Sequence, residues 1–281
     1  MTARPVLLAV VAHPDDESFG MGGTLARYAR EGWDVHVAVM TDGVAGSVAE
    51  GHEDSLTDLV VVRQKELETA VSILNATLHQ LGYRDSGYVN DPANNHPHAF
   101  IQAQQGEVVE RLVSLMRQIK PTVVLTHDET GTYFHPDHIY CCTTTTQAFH
   151  AAGDATQFPT AGPIHQPGQL YYGVISNRWI KLYIIILRLR RQDPTKMGRN
   201  QDIDITRIGV PPRQLHAIID YSTYWEIKKA ASAAHSSQGG GTPQSRFIPE
   251  WVLRRFMAKE TYIRAHPPAP DGYRIYDFLD E

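Results

Sequence analysis

Two short segments of the sequence carry residue types that could do chemistry together. The first is Ala12-His13-Pro14-Asp15-Asp16-Glu17; the second, far downstream, is His135-Pro136-Asp137-His138. A histidine followed by three acids repels a phosphate, even at the positive end of a helix. A cation is the better guest. Pro136 suits the first turn of a helix, so His135 and His138, three positions apart, share one face. Zn²⁺ is held by imidazole nitrogens and carboxylate oxygens, and catalytic sites leave one position to water. His13, Asp16 and His138 supply such a set of three, whereas His135 as a fourth ligand would close the site. A donor set of this kind also accepts Fe²⁺ and other divalent ions.

Both segments need elements to hold them. Residues 5–11 (PVLLAVV) form the unbroken apolar run of a parallel strand covered on both faces. A helical pattern follows, with Phe19, Leu25, Tyr28 and Ala29 as candidate core positions and Gly32 as its stop. Residues 34–40 (DVHVAVM) alternate like a second strand, completing a βαβ unit. The spacing of Val62, Leu67, Val71 and Leu74 predicts one helix over 60–81, ending at Gly82. A second amphipathic helix over 107–120 carries Val108, Leu112, Leu115 and Ile119, and Pro121 breaks it. Residues 122–126 (TVVLT) then give another buried strand, ending at His127-Asp128.

This alternation predicts a Rossmann-like, doubly wound α/β fold with a mostly parallel sheet. Such sheets bind ligands beyond the carboxyl ends of their strands, where the strand order reverses. Both histidine segments fall at strand ends. A dinucleotide-binding protein would carry a Gly-rich turn after its first strand. Here Gly20-Met21-Gly22-Gly23 has neither the spacing nor the position, and reads as lying inside the helix.

The second half is less regular. It predicts a strand over 169–175, a helix over 224–235, a loop at 239–243, a helix over 249–259 and a strand over 261–265. The basic and apolar stretch 181–200 has no assignment. One domain over 1–281 is expected, with its core in 5–175 and an elaborated C-terminal half in 176–281.

Composition narrows the function. A chain of 281 residues with 42% hydrophobic content can bury a sizeable core. Its 26 Lys and Arg against 31 Asp and Glu, a net charge of −5, lack the basic stripe that nucleic acid requires. The only cysteines, Cys141 and Cys142, are adjacent and make no disulfide framework, so a reducing, cytoplasmic setting is expected. No signal-peptide cleavage pattern follows the first apolar run. Residues 180–189, the most apolar later stretch, are too short to span a bilayer and run into Arg188, Arg190 and Arg191.

AHPDDE at 12–17 with HPDH at 135–138 resembles the LmbE-like, or PIG-L, family of zinc-dependent de-N-acetylases. That family includes the N-acetylglucosaminyl-phosphatidylinositol, mycothiol-pathway and bacillithiol-pathway deacetylases. Thr41-Asp42-Gly43, Arg63-Gln64-Lys65-Glu66, Leu81-Gly82-Tyr83-Arg84-Asp85-Ser86-Gly87 and His235-Ser236-Ser237-Gln238 extend the resemblance, in order, over most of residues 5–240.

The resemblance implies a metal-dependent amidohydrolase that removes an N-acetyl group from an N-acetylglucosamine-type conjugate through metal-activated water. Its substrate would be a small N-acylated sugar conjugate, and an assembly of identical chains is compatible with it. It implies His13, Asp16 and His138 as metal ligands and Asp15 as general base. His135 would stabilise the oxyanion and protonate the departing amine. Tyr133 would help to polarise the carbonyl, Asp137 would orient His135, and Arg63 and Asp85 would hold sugar hydroxyls. The alternative within the family is an amidase cleaving a larger acyl amide in a thiol or glycopeptide conjugate. A glycosidase with paired acids would not need histidines at metal-ligand spacing. A non-catalytic sugar- or metal-binding module would differ by its lack of turnover.

Overall fold

The structure is a computed structural model that describes residues 4–46, 59–198, 201, 203–240 and 250–280, without the side chains of Trp179 and Phe256. Its first strand, β1 (Val6–Val11), is buried on both faces from Leu7 onward. Two-sided burial is what selects a continuous apolar run over an alternating one. Leu7, Ala9 and Val11 enter one core, Leu8 and Val10 the other. The remaining strands are β2 (Asp34–Thr41), β3 (Thr77–Tyr83), β4 (Val123–His127), β5 (Gln169–Val174), β6 (Ala217–Asp220) and β7 (Lys259–His266).

They form one sheet in the order β3-β2-β1-β4-β5-β7-β6. The first five run parallel, while β7 pairs antiparallel with both β5 and β6. The order reverses between β1 and β4, which opens a crevice at their carboxyl ends. His13 leaves β1 at that point, and His135 and His138 follow β4.

The helices in chain order are α1 (Asp16–Gly20), α2 (Gly22–Arg30), α3 (Leu59–Leu74), α4 (Gln105–Ile119), α5 (Gly131–Phe134), α6 (Pro136–Ala152), α7 (Asn177–Leu189), α8 (Trp225–Ala234) and α9 (Glu250–Met257). Leu25 of α2, Leu67 and Val71 of α3 and Ala231 of α8 cover one face of the sheet. Leu112 and Met116 of α4 with Phe149 of α6 cover the other.

Three expectations are corrected. The helix over 60–81 ends at Leu74, where Asn75 takes a left-handed φ of 58°, a conformation Asn tolerates at a helix end. Residues 77–83 then form the edge strand β3. The first helix is split at Met21, so the glycines at 22 and 23 open α2 instead of lying within one helix. A Cβ at Gly23 would stand 2.2 Å from the Tyr221 ring, so close packing requires glycine there. Phe19, placed in the core by counting along an unbroken helix, is 40% exposed because that periodicity stops with α1. The unassigned stretch contains the end of α7, and the four-residue β6 gave no sequence signal. Residues 199–200 of that stretch, 241–243 of the expected loop and 249 of the expected last helix lie outside the described residues.

Candidate functional site

The His13 backbone N–H donates to Asp16 Oδ2 at 2.8 Å, closing the turn between β1 and α1. This turns the carboxylate toward the His13 ring. His13 Nδ1, Asp16 Oδ2 and His138 Nε2 then stand 3.2, 3.3 and 3.3 Å apart. An ion with tetrahedral ligands at about 2.0–2.1 Å requires ligand separations of about 3.3–3.4 Å. The three donors fit that requirement.

The ionisation of Asp16 and His138 fits as well. Burial opposes charge on Asp16, but His138, His127 and His13 hold its carboxyl well below the usual range. Burial pushes His138 down to about 4, against the pull of Asp16. A carboxylate and a neutral imidazole are the forms that bind a cation. His13 behaves differently: burial lowers it, yet Asp85, Asp137 and Asp16 raise it well above an ordinary histidine.

Outer contacts orient these rings. Asp137 Oδ2 accepts the Ser86 N–H at 2.9 Å and faces His13 Nε2 at 3.1 Å. Once His13 gives up its second proton to an incoming cation, a carboxylate there keeps the remaining hydrogen on Nε2 and leaves the Nδ1 lone pair for the ion. Asp137, expected to orient His135, meets that ring through its backbone while its carboxylate faces His13. His135 is the N-cap of α6, and it is the Asp137 backbone N–H that donates to His135 Nδ1, at 3.2 Å. The side chain of Asp137 is thus left for His13. Asp85 Oδ1 lies 3.5 Å from the same His13 nitrogen, and the Asp85 carboxylate also accepts the N–H groups of Gly87 and Ala45 at 2.8 and 3.0 Å.

His127 lies close enough to Asp16 and His138 to be a fourth donor. Its Nε2, however, accepts the Ala12 N–H at 3.0 Å, which uses the lone pair. Its ring stacks on His138 at 3.9 Å and braces that ring's plane. His135 stands within 4.8 Å of the His13 and His138 donors. Burial, then His13 and His138, push His135 down to about 3, so it is neutral. With Nδ1 accepting, Nε2 carries the hydrogen.

The cavity beside the donors has a volume of about 160 Å³ and is lined by His13, Asp15, Arg63, Asp85, Tyr133 and His135, with Gly46 and Gln238. Six of the nine residues singled out in the sequence therefore face one space, and Asp16, Asp137 and His138 stand behind it. Asp15 has φ 133° and ψ −32°, a conformation that costs a non-glycine residue about 1–3 kcal/mol. Burial, then Asp16, raise its carboxyl well above the usual range, which suits a proton acceptor that must also give the proton back. An Arg63 Nη donates to the Gly46 carbonyl at 3.2 Å. Tyr133 lies between two other strained residues, Thr132 (φ 64°) and Phe134 (φ 69°). Its ring meets the His138 ring edge-on at 5.1 Å, and burial keeps its phenol protonated.

Sequence reasoning gave no role to the groups that hold Asp15 in its strained form. Its backbone N–H donates to Glu17 Oε2 at 3.0 Å, and Glu17 Oε1 pairs with His235 Nε2 at 2.7 Å, both side chains fully buried. Gln238 Nε2 donates to the Pro14 carbonyl at 2.6 Å. Glu66 of α3 accepts from the Ser236 hydroxyl and from the N–H and hydroxyl of Ser237. The turn after α8 thus clamps the loop after β1. The signal was present, in Glu17 beside Asp16 and in the His235-Ser236-Ser237-Gln238 run. Tyr88, whose hydroxyl donates to the Tyr133 carbonyl at 2.8 Å, gave none.

Fold and site together define an α/β protein with a candidate metal centre at the switch point of its sheet. Residues 8–149 match the PIG-L family model, described as GlcNAc-PI de-N-acetylase, and the chain belongs to that family. It is 35% identical to a 1D-myo-inositol 2-acetamido-2-deoxy-alpha-D-glucopyranoside deacetylase of Rhodococcus jostii, covering 92% of this chain and 89% of the relative. A protein of the same description from Thermobifida fusca is 32% identical over 95% and 96% of the two chains. Among solved structures, an N,N'-diacetylchitobiose deacetylase from Pyrococcus horikoshii superposes with a TM-score of 0.62. At 20% identity, over 98% of this chain and 88% of that one, the likeness is one of fold.

Proposed function

We propose that the protein is a Zn²⁺-dependent amidohydrolase that removes the acetyl group from an N-acetylglucosamine-type conjugate, with an inositol glycoside as the first candidate. The observation that carries this reading is the convergence of a three-donor metal site with Asp15, Tyr133 and His135 on one small cavity. The family and the substrate named for the relatives at 35% and 32% identity support the same chemistry.

When bound, the divalent ion supplies Lewis acidity that polarises the amide carbonyl and acidifies water. His13, Asp16 and His138 hold it. Asp15 takes a proton from the attacking water as the oxygen bonds to the carbonyl carbon. His135 donates a hydrogen bond from Nε2 to the amide oxygen as negative charge grows there, and the Tyr133 hydroxyl is a second donor. The C–N bond then breaks, and the proton held by Asp15 passes to the departing nitrogen. Acetic acid and a free amine result, and the acid's proton passes to the amine or to solvent. A neutral His135 stabilises the oxyanion without first being an imidazolium, so proton delivery falls to Asp15. Arg63 and Asp85 face the same cavity and hold sugar hydroxyls.

The acetamido substrate named for the two relatives supports acetyl over a longer acyl group. Mixed imidazole and carboxylate donors support Zn²⁺. The two cysteines, free and buried, support a reducing, cytoplasmic setting. We read 1–281 as one domain, because β6 and β7 from the C-terminal half complete the sheet begun by β1–β5.

The test is release of free amine from N-acetylglucosaminyl-inositol, free N-acetylglucosamine and longer-acyl analogues, using metal-stripped protein and protein reloaded with Zn²⁺ or Fe²⁺. Amine is expected from the acetylated inositol glycoside only after reloading, with rates falling as the acyl chain lengthens. Faster turnover of the longer acyl amides would reverse the acetyl assignment, and no amine from any substrate would remove the hydrolase reading.

A further inference from the structure

A surface helix ordinarily turns one apolar stripe to the protein and charge to water. α7 departs from this. Ile184 and Leu187 are buried against the protein, while Leu182, Ile185, Ile186 and Leu189 make a second stripe at i, i+3, i+4 and i+7 on the opposite face. In that outer stripe Leu182 is 47%, Ile185 55% and Leu189 79% exposed. Lys181 and Arg188 run along one flank, and Arg190 lies on the other. With Arg178 and Arg191, residues 176–191 carry five cations and no acid, in a chain whose net charge is −5.

We infer that α7 is an in-plane docking helix for an anionic lipid surface. The outer stripe enters the boundary between headgroups and acyl chains, and the flanking cations meet lipid phosphates. The long Lys and Arg stems let the charges stay at headgroup level while the leucines and isoleucines sink. Thirteen residues are too few to span a bilayer, so the helix lies on it. Charge selects lipid over a second copy of this chain. A two-fold interface through this face would set the five cations against their own symmetry mates.

One short turn links the helix to the segment that carries Tyr133. The short 3₁₀ turn Ile205–Arg207 packs on α7, and the Arg207 guanidinium lies 4.2 Å over the ring of Phe134, the neighbour of Tyr133.

The test is flotation of the full-length, metal-loaded protein with vesicles of phosphatidylcholine alone or mixed equally with phosphatidylglycerol. Binding is expected only to the anionic vesicles and is expected to be lost at high salt. The L182Q/I185Q/L189Q variant should lose binding. K181Q/R188Q/R191Q should bind roughly a hundredfold more weakly, at about fivefold per cation. Both variants should keep the native melting temperature and the native rate on a soluble substrate. Absence of binding to anionic vesicles at low salt would overturn the inference. So would binding that survives the apolar substitutions, or a solution dimer that those substitutions convert to monomer.

Discussion

Replacing Asp15 with Asn is expected to lower kcat by about 10²–10⁴-fold, the range for loss of a general base, while the protein keeps a full complement of metal. Asn preserves the size of the side chain and tolerates a positive φ better than most residues. The backbone N–H still reaches Glu17 and the loop keeps its form. What is lost is the ability to take a proton from water and return it to nitrogen. The three donor atoms belong to other residues, so metal content should not fall. Parallel measurement of kcat and bound metal separates the outcomes. A kcat within about threefold of native would remove Asp15 from the mechanism, and loss of metal would make Asp15 a ligand.

Replacing His138 with Ala is expected to leave a folded protein that retains almost no metal after dialysis and has no measurable turnover at metal levels that saturate the native enzyme. Its Nε2 stands 3.2 Å from His13 Nδ1 and 3.3 Å from Asp16 Oδ2, so the substitution removes one corner of the donor triangle. The loss of affinity should exceed the roughly 10–100-fold that follows loss of an outer partner, as Asp137→Ala would show at His13. The vacated space lies beneath the stacked His127 ring, so added imidazole is expected to restore part of both metal binding and activity. Native metal content in His138→Ala would exclude His138 from the ligand set.

The main features of the site could be read from the sequence because they are local. His13 follows an apolar run that only a strand buried on both faces explains, and His135 and His138 start a helix that Pro136 opens. The switch point between β1 and β4 brings these pieces together. What could not be read depends on where the chain returns. The Asp137 carboxylate turns to His13 because the Asp137 backbone N–H already serves His135. His127 is excluded as a donor by a single bond from Ala12 that no spacing reveals. Glu17 meets His235 across more than two hundred positions of chain. β3 was hidden because Leu78 and Leu81 continue the helical spacing of Val71 and Leu74, and only the left-handed Asn75 divides the two elements. α7 escaped assignment because apolar stripes on both of its faces blur the helical period.

The most direct test of the ligand set is diffraction from crystals grown with Zn²⁺, recorded on both sides of the zinc absorption edge. The expected result is one anomalous peak bonded to His13 Nδ1, Asp16 Oδ2 and His138 Nε2. A peak instead between His13 Nε2, Asp85 and Asp137, the other face of the same ring, or no peak in the crevice at all, would contradict it.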